Sequence, residues 1–204
     1  RGGVMAQVLP STRDEEWRYA DIPALARLVP DALDAWAELA VAAGETERQC
    51  LLLDAADPQV QRLRVTVGDG ATAALFAVNA AQDYARLEVE VTLGEGAHFE
   101  FGGVTIGGGD AVRELVTRVR HAQPNATSNQ VVRAVHWGQA TGNFLGRIDV
   151  ARHAQKTDAA QDFKGLLLER GASANARPEL EIYADDVKCA HGASIGQMDE
   201  GARF

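Results

Sequence analysis

The sequence LRVTVGDGA at residues 63–71 has a close counterpart in LEVEVTLGEGA at residues 87–97. In both, apolar and polar residues alternate, as in a strand with one buried face. Both strands end in the same kind of glycine turn, which returns 26 residues later, from Gly68 to Gly94. A strand and turn that recur in this way are typical of a β-solenoid, in which each coil buries its inner face on the next.

Further short strands are predicted after these two. They fall at residues 98–101, 104–106, 115–119, 130–135 and 147–150. The segments between them lack the 3.6-residue periodicity of helices, which excludes a βαβ sheet because its crossovers are helical. A sandwich, a barrel and a solenoid remain, and the repeated turn favours the solenoid over the sandwich.

Helices are predicted before the strands begin. Pro23 stands in the first turn of one helix and Pro30 ends it, while Asp31 begins a second helix that ends at Gly44. The apolar residues of the second helix follow the spacing of a single helical stripe. They are Leu33, Trp36, Ala37, Ala40 and Val41.

The predicted elements divide the chain into three parts. Residues 1–60 are expected to form an N-terminal helical segment, residues 61–194 the β core, and residues 195–204 the start of a C-terminal helical region. We expect Trp17 and Tyr19, in the first part, to pack the helical segment onto the core.

Composition excludes several classes of function. A net charge of -9 argues against nucleic acid as a partner, because phosphate binding requires clustered Lys and Arg. No apolar run approaches the roughly 20 residues that cross a membrane as a helix. The two cysteines, Cys50 and Cys189, do not make a disulfide framework, which favours a reducing, cytoplasmic location.

Cys189 and His191 are the candidate metal ligands. If their segment is extended, Val187, Cys189 and His191 share one face, and a thiol and an imidazole can bind a soft or borderline metal together. Two ligands cannot fill a tetrahedral site, so the pair indicates a half-site that a partner chain or a small thiol completes.

Two enzyme-like patterns lie beside this pair. Asp185 and Asp186 could act as acid and base in a β-solenoid carbohydrate-active enzyme, although adjacent strand residues face opposite sides and a turn is the favoured interpretation. Gly192–Gly196 matches G-x-S-x-G, but no histidine follows Ser194 and the α/β pattern of a hydrolase is absent.

Several longer motifs, in order along the chain, resemble the SufB/SufD family of iron–sulfur cluster assembly proteins, and its SufD branch most closely. They are EWRY at 16–19, NATSNQ at 125–130, FLGRIDV at 144–150, AQKTDAAQ at 154–161, LLL at 166–168 and RPELEIYADDVKCAHGASIGQMDE at 177–200. The resemblance implies a right-handed parallel β-helix with flanking helical segments.

The resemblance also implies a role and partners. The chain would be a non-catalytic scaffold subunit of an assembly complex, paired with a SufB-like paralogue and a SufC-like ATPase. His191 and Cys189 match the family's K-C-x-H-G motif at an interfacial site that a SufB cysteine would complete. The helices that bind SufC would begin near Asp199 and continue beyond Phe204.

Expectations about ligands and assembly follow. We expect no stably bound cofactor in the isolated chain and a transient iron–sulfur cluster in the complex. Pairing of two copies through solenoid edges, as a homodimeric interaction module, is the remaining alternative.

Overall fold

A computed structural model describes residues 9–29 and 31–198 of the chain. A short 3₁₀ helix (Glu15–Trp17) and one turn of α-helix, α1 (Ile22–Leu25), precede twelve strands. The strands are β1 (Ala37–Val41), β2 (Thr46–Leu53), β3 (Gln59–Val67), β4 (Thr72–Asn79), β5 (Ala85–Leu93), β6 (His98–Gly107), β7 (Val112–His121), β8 (Thr127–His136), β9 (Thr141–Val150), β10 (Asp158–Leu167), β11 (Ser173–Ile182) and β12 (Lys188–Gln197).

The strands form two parallel sheets. The odd-numbered strands lie in the order β1-β3-β5-β7-β9-β11, and the even-numbered strands in the order β2-β4-β6-β8-β10-β12. Each strand pairs with the strand two places further along the chain, for example Ala37 with Leu63 and Thr141 with Ser173. The chain therefore winds as a parallel β-helix of six coils with two strands per coil, and the predicted solenoid is confirmed.

The glycine turns stack on one corner of this solenoid. Gly70 and Gly96 take positive φ angles of 62° and 61°. The Gly70 amide donates to the Glu95 carbonyl at 2.7 Å, which ties one corner to the next coil. In later coils Asn125 and Lys156 take the same conformation, with φ of 62° and 63°. The structural repeat therefore continues past the point where its glycines disappear from the sequence.

The core lies between the two sheets. Every second residue of each strand points inward, and these positions carry mostly Val, Leu, Ala and Phe. Phe144 and Phe163 stack across the interior, with ring centroids 5.9 Å apart. The apolar interior thus extends along the axis, because each coil covers the inner residues of its neighbour.

The N-terminal segment packs on the outer face of the odd-numbered sheet. The Trp17 ring covers the guanidinium group of Arg86 at 3.9 Å, and Trp17 retains only 8% of its exposure. Asn143 donates a 3.4 Å hydrogen bond to the carbonyl of Tyr19. The expected anchoring of this segment through Trp17 and Tyr19 is therefore observed.

The prediction of a helix over residues 31–44 was wrong. Residues 37–41 form β1, which pairs in parallel with residues 63–67 of β3. The guanidinium groups of Arg62 and Arg64 both lie over the Trp36 ring, at 4.3 and 4.2 Å from its centroid. Alanine favours a helix, but its local propensity amounts to only a few tenths of a kcal/mol. Pairing with a neighbouring strand outweighs this propensity, so the segment forms a strand.

Strands occur in each of the three predicted parts of the chain. Strands β1 and β2 lie within residues 1–60, and among residues 9–29 and 31–60, which the structure describes, helix is confined to Glu15–Trp17 and α1. At the other end, residues 195–197 belong to β12. Residues 199–204, where a C-terminal helix was expected to begin, lie outside the described part of the chain.

Candidate functional site

Cys189 and His191 lie on β12, at one end of the even-numbered sheet. The register places Cys189 beside Ala159 and His191 beside Gln161 on β10. Ala159 and Gln161 are inward-facing and buried, each 2% exposed. Cys189 and His191 therefore occupy inward-facing positions in the last described coil, on one face, as the alternation predicts.

Cys189 is half-buried against a small apolar cluster that includes Ile148 and Val150, and Val187 packs against the same cluster. Burial raises the pKa of the Cys189 thiol, and the carboxylate of Asp158 raises it further. The sulfur is therefore protonated at neutral pH and is a poor nucleophile. A metal ion would displace the thiol proton on binding.

His191 is exposed, and its neighbour on β10 is a buried amide. The Gln161 Nε2 group donates to the carbonyl oxygens of Gly146 and Glu179, at 3.3 Å each. Gln161 thus links the even-numbered sheet to the odd-numbered sheet directly beside His191.

The pair does not belong to a complete metal site within the described residues. Across residues 9–29 and 31–198, no three His, Cys, Asp or Glu side chains converge in a way that could hold a metal ion. Cys189 and His191 provide two ligands, and a tetrahedral site requires four. The arrangement can therefore hold a metal only with ligands from another source.

Asp185 and Asp186 occupy an exposed turn between β11 and β12. The Asp186 carboxylate forms an ion pair with Lys156, and its amide donates to the Gln155 side chain at 2.9 Å. The Asp186 carbonyl accepts from the Lys156 amide at 2.6 Å. Asp186 therefore ties the turn before β12 to the preceding coil, and the two carboxylates lie in a turn, as the favoured interpretation of the sequence expected.

The G-x-S-x-G sequence lies inside a strand. Gly192–Gly196 belongs to β12, and Ser194 is exposed beside Lys164 of β10. A nucleophile elbow requires a sharp turn from a strand into a helix, but here the strand continues to Gln197. The hydrolase pattern therefore has no structural counterpart.

The surroundings of the pair include a surface that sequence reasoning missed. In the described structure, β11 and β12 each have a neighbouring strand on one side only. Large apolar side chains are exposed there, with Ile182 at 41%, Tyr183 at 60% and Ile195 at 46%. Ile182 and Ile195 are at inward-facing positions, and no further coil covers them within the described residues. The alternating pattern of β12 predicts which side chains point inward, but it predicts this exposed apolar surface only when the strand register is known.

Comparison with known protein families assigns the chain to a family. Residues 51–204 match the family model described as SUF system FeS cluster assembly, SufBD core domain. The chain belongs to the SufBD family. The match begins within β2, so the family likeness extends well before the motifs quoted above, most of which lie after residue 115.

Individual relatives agree with this assignment. The chain is 39% identical over 88 residues to the iron-sulfur cluster assembly protein SufD of Escherichia coli, across 43% of this chain and 21% of that protein. It is 34% identical over 131 residues to a SufBD family protein of Synechocystis, across 64% of this chain and 29% of the relative. An Arabidopsis thaliana chloroplastic protein, ABCI7, is 38% identical over 94 residues, 45% of this chain and 19% of ABCI7. The matched region thus spans less than a third of the length of each of these relatives.

Among the described residues of this SufBD-family chain, no helix has the length and apolar character needed to cross a membrane. In the described part of the chain, helical residues are confined to the 3₁₀ helix and α1.

Proposed function

We propose that the chain is a SufD-like scaffold subunit in iron–sulfur cluster assembly, which pairs with a SufB-like paralogue and a SufC-like ATPase. Family membership and the names of the relatives, which include the SufD assembly proteins of E. coli and Bacillus subtilis, support this role. The SufC-like ATPase would bind a region beyond Phe204. A cytoplasmic location remains a prediction from cysteine usage.

The observation that carries the proposal is the incomplete pair at the end of the solenoid. Cys189 and His191 are soft and borderline ligands of the kind that bind iron. They face the open end of the last described coil, so that a second protein placed there could contribute the remaining ligands. In this role the cluster is cargo, and the chain alone holds no stable cofactor.

The edge of β12 offers a means of docking. The Lys188 amide donates to the carbonyl of Thr157, just before β10, and the Met198 amide donates to Leu167 of β10, so even-numbered amides face the solenoid. Odd-numbered amides therefore face the open edge, where they are available to a strand from another chain. The exposed Ile182 and Ile195 would add apolar contact to this pairing.

Substitution of Ala193 by Pro tests edge pairing directly. The change removes one open-edge amide and leaves the bonds between β12 and β10 in place. In the full-length protein, Ala193→Pro should reduce co-purification with the SufB-like protein at least tenfold. Ala193→Val keeps the amide and should co-purify normally.

Equal co-purification of both variants would contradict docking through this edge. The isolated protein should also be sized, because two copies can pair through the same edge. Homodimers that persist in the presence of the SufB-like protein would favour a homodimeric module over the proposed scaffold.

A further inference from the structure

A buried cationic cluster lies at the corner between β6 and β7, away from Cys189 and His191. We refer to Thr105, Gly107, Arg113, His136 and Gly142 as the Arg113 cluster. Arg113 is on β7 at an inward-facing position, beside Gly142 of β9 in the sheet register, and is 2% exposed. Thr105 and His136 enter the cluster from the opposite sheet. The cluster therefore joins the two sheets inside the solenoid.

Most polar groups of the cluster bind one another. The His136 Nδ1 group lies 3.1 Å from the Gly107 carbonyl, to which it donates. The Thr105 hydroxyl lies 3.0 Å from His136 Nε2, and it donates to this atom when the imidazole is neutral with its proton on Nδ1. These groups consequently offer no further donor to a ligand.

The Arg113 guanidinium group, in contrast, has buried N–H groups without a hydrogen-bond partner among the described residues. Its Nε and Nη1 atoms are buried and have no hydrogen-bond partner among the described residues. No carboxylate of the described chain lies within 4.0 Å of Arg113. By contrast the buried Arg86 lies 3.3 Å from Glu114 and 3.6 Å from Glu88. A buried charge without a counter-charge is strongly unfavourable, so that Arg113 requires an explanation that Arg86 does not.

The backbone is shaped to accept this side chain. A Cβ atom on Gly107 would lie 2.4 Å from Arg113 Nη2, and the φ of Gly107 is 146°. A Cβ atom on Gly142 would lie 2.1 Å from His136 Nε2. Both glycines thus leave space that the guanidinium and imidazole groups fill.

We propose that the Arg113 cluster binds a small inorganic anion of about the size of a halide. The anion would accept hydrogen bonds from Nε and Nη1 of Arg113 and neutralise its charge inside the solenoid. Water could satisfy the two donors but would leave the charge uncompensated, which favours an anion. The site lies in the interior, so a bulky organic anion should not enter.

Bromide is the probe that tests this site. The intact chain is unfolded thermally in sodium bromide and, at equal ionic strength, in sodium gluconate, whose anion is too large for the interior. Relative to the Arg113→Met variant, the wild-type chain should gain about 2–4 °C in Tm from bromide at saturating concentration.

A matched control removes the same charge from the surface. Arg48 is exposed on β2, and the Arg48→Met variant should respond to bromide as the wild type does. An identical response of wild type and Arg113→Met would overturn the proposal. If Arg113→Met does not fold, anomalous diffraction from wild-type crystals grown in bromide tests the site instead. An anomalous peak beside the Arg113 guanidinium supports the site, and a water molecule there refutes it.

Discussion

His121 and His136 are neutral at physiological pH because both side chains are buried in the solenoid, at 0% exposure. His121 lies 2.9 Å from the Ser128 hydroxyl, and His136 lies 3.0 Å from the Thr105 hydroxyl. Burial lowers the pKa of each imidazole to about 4. In the unfolded chain the same groups would titrate near 6.5.

This difference predicts acid sensitivity. Between pH 6.5 and about 4 the unfolded state binds more protons than the folded state, so the free energy of unfolding falls as the pH falls through this window. The loss should reach up to about 3 kcal/mol per histidine. Urea unfolding at intervals from pH 7 to 4 measures it.

The double variant His121→Gln/His136→Asn keeps comparable hydrogen-bonding groups and should show a flatter dependence on pH. His153 is exposed, so His153→Gln should keep the wild-type slope. A double variant with an unchanged slope would show that other groups cause the acid sensitivity.

Alkylation rates should distinguish the two cysteines. Cys50 is exposed, whereas Cys189 is half-buried and its thiol has a raised pKa. We therefore expect iodoacetamide to modify Cys50 faster than Cys189 in the native chain at pH 7.5, as followed by peptide mass spectrometry. Denaturant should remove the difference, and faster labelling of native Cys189 would contradict the described environment.

Alternation along the sequence was sufficient to place Cys189 and His191 on one face. It could not identify Gln161 as the neighbour of His191, or Lys156 as the partner of Asp186, since both contacts depend on the register between β10 and β12. Register is a property of paired strands that a single strand does not specify. Arg113 was missed for the same reason, as a lone arginine in an alternating strand gives no sign that it lacks a counter-charge.

At the scale of elements, the corner turns determine how coils stack. Gly96 has a φ of 61°, and a Cβ atom there would meet nothing within 4 Å. Gly96→Ala should thus lower the free energy of unfolding by about 1 kcal/mol through backbone strain alone. Chemical denaturation measures the change.

Gly196 is the matched control for Gly96. A Cβ atom on Gly196 also meets nothing within 4 Å, but its φ is not in the left-handed region. Gly196→Ala should therefore be neutral or slightly stabilising. Equal destabilisation by the two substitutions would argue against the corner conformation.

The N-terminal segment is held chiefly by Trp17. Its ring covers Arg86, which donates to the Glu16 carbonyl at 3.0 Å and to Glu114 at 3.3 Å. Trp17→Ala should cost about 3 kcal/mol or more, because it opens a large cavity over this buried network. Phe76→Ala, at a ring that is 53% exposed, should cost much less in the same denaturation experiment. Similar losses for the two variants would contradict a buried anchor at Trp17.

The element that sequence reasoning placed wrongly shows where local patterns fail. Residues 37–41 contain alanines that favour a helix, yet Leu39 and Val41 also fit the alternation of a strand. Residues 37–41 form a strand and not a helix because they pair with residues 63–67 of β3. The strands around residues 63 and 87 were recognised because β-branched residues and turn glycines agreed there, with no competing helical pattern.

At the scale of the whole molecule, each coil of a β-helix buries the inner residues of its neighbours. A coil at the end of a β-helix has a neighbour on one side only, so its inner residues are less completely buried. The solenoid itself was predictable from two copies of one turn and from the family motifs. The open face beside His191 was not, because exposure of Ile182 and Ile195 depends on what lies beyond the last described coil. The proposed scaffold role uses this open face, where a second protein would complete both the packing and the ligand set.

Iron and sulfide content of the assembled complex tests the central claim most directly. Full-length protein with His191→Ala, or with His153→Ala as an exposed control, is co-purified with the SufB-like and SufC-like proteins, and clusters are reconstituted. The proposal predicts that His191→Ala assembles normally but loses most of its iron and sulfide, at least fivefold, while His153→Ala retains them. Iron and sulfide contents that are equal in the two assembled variants would exclude His191 from cluster assembly and contradict the half-site.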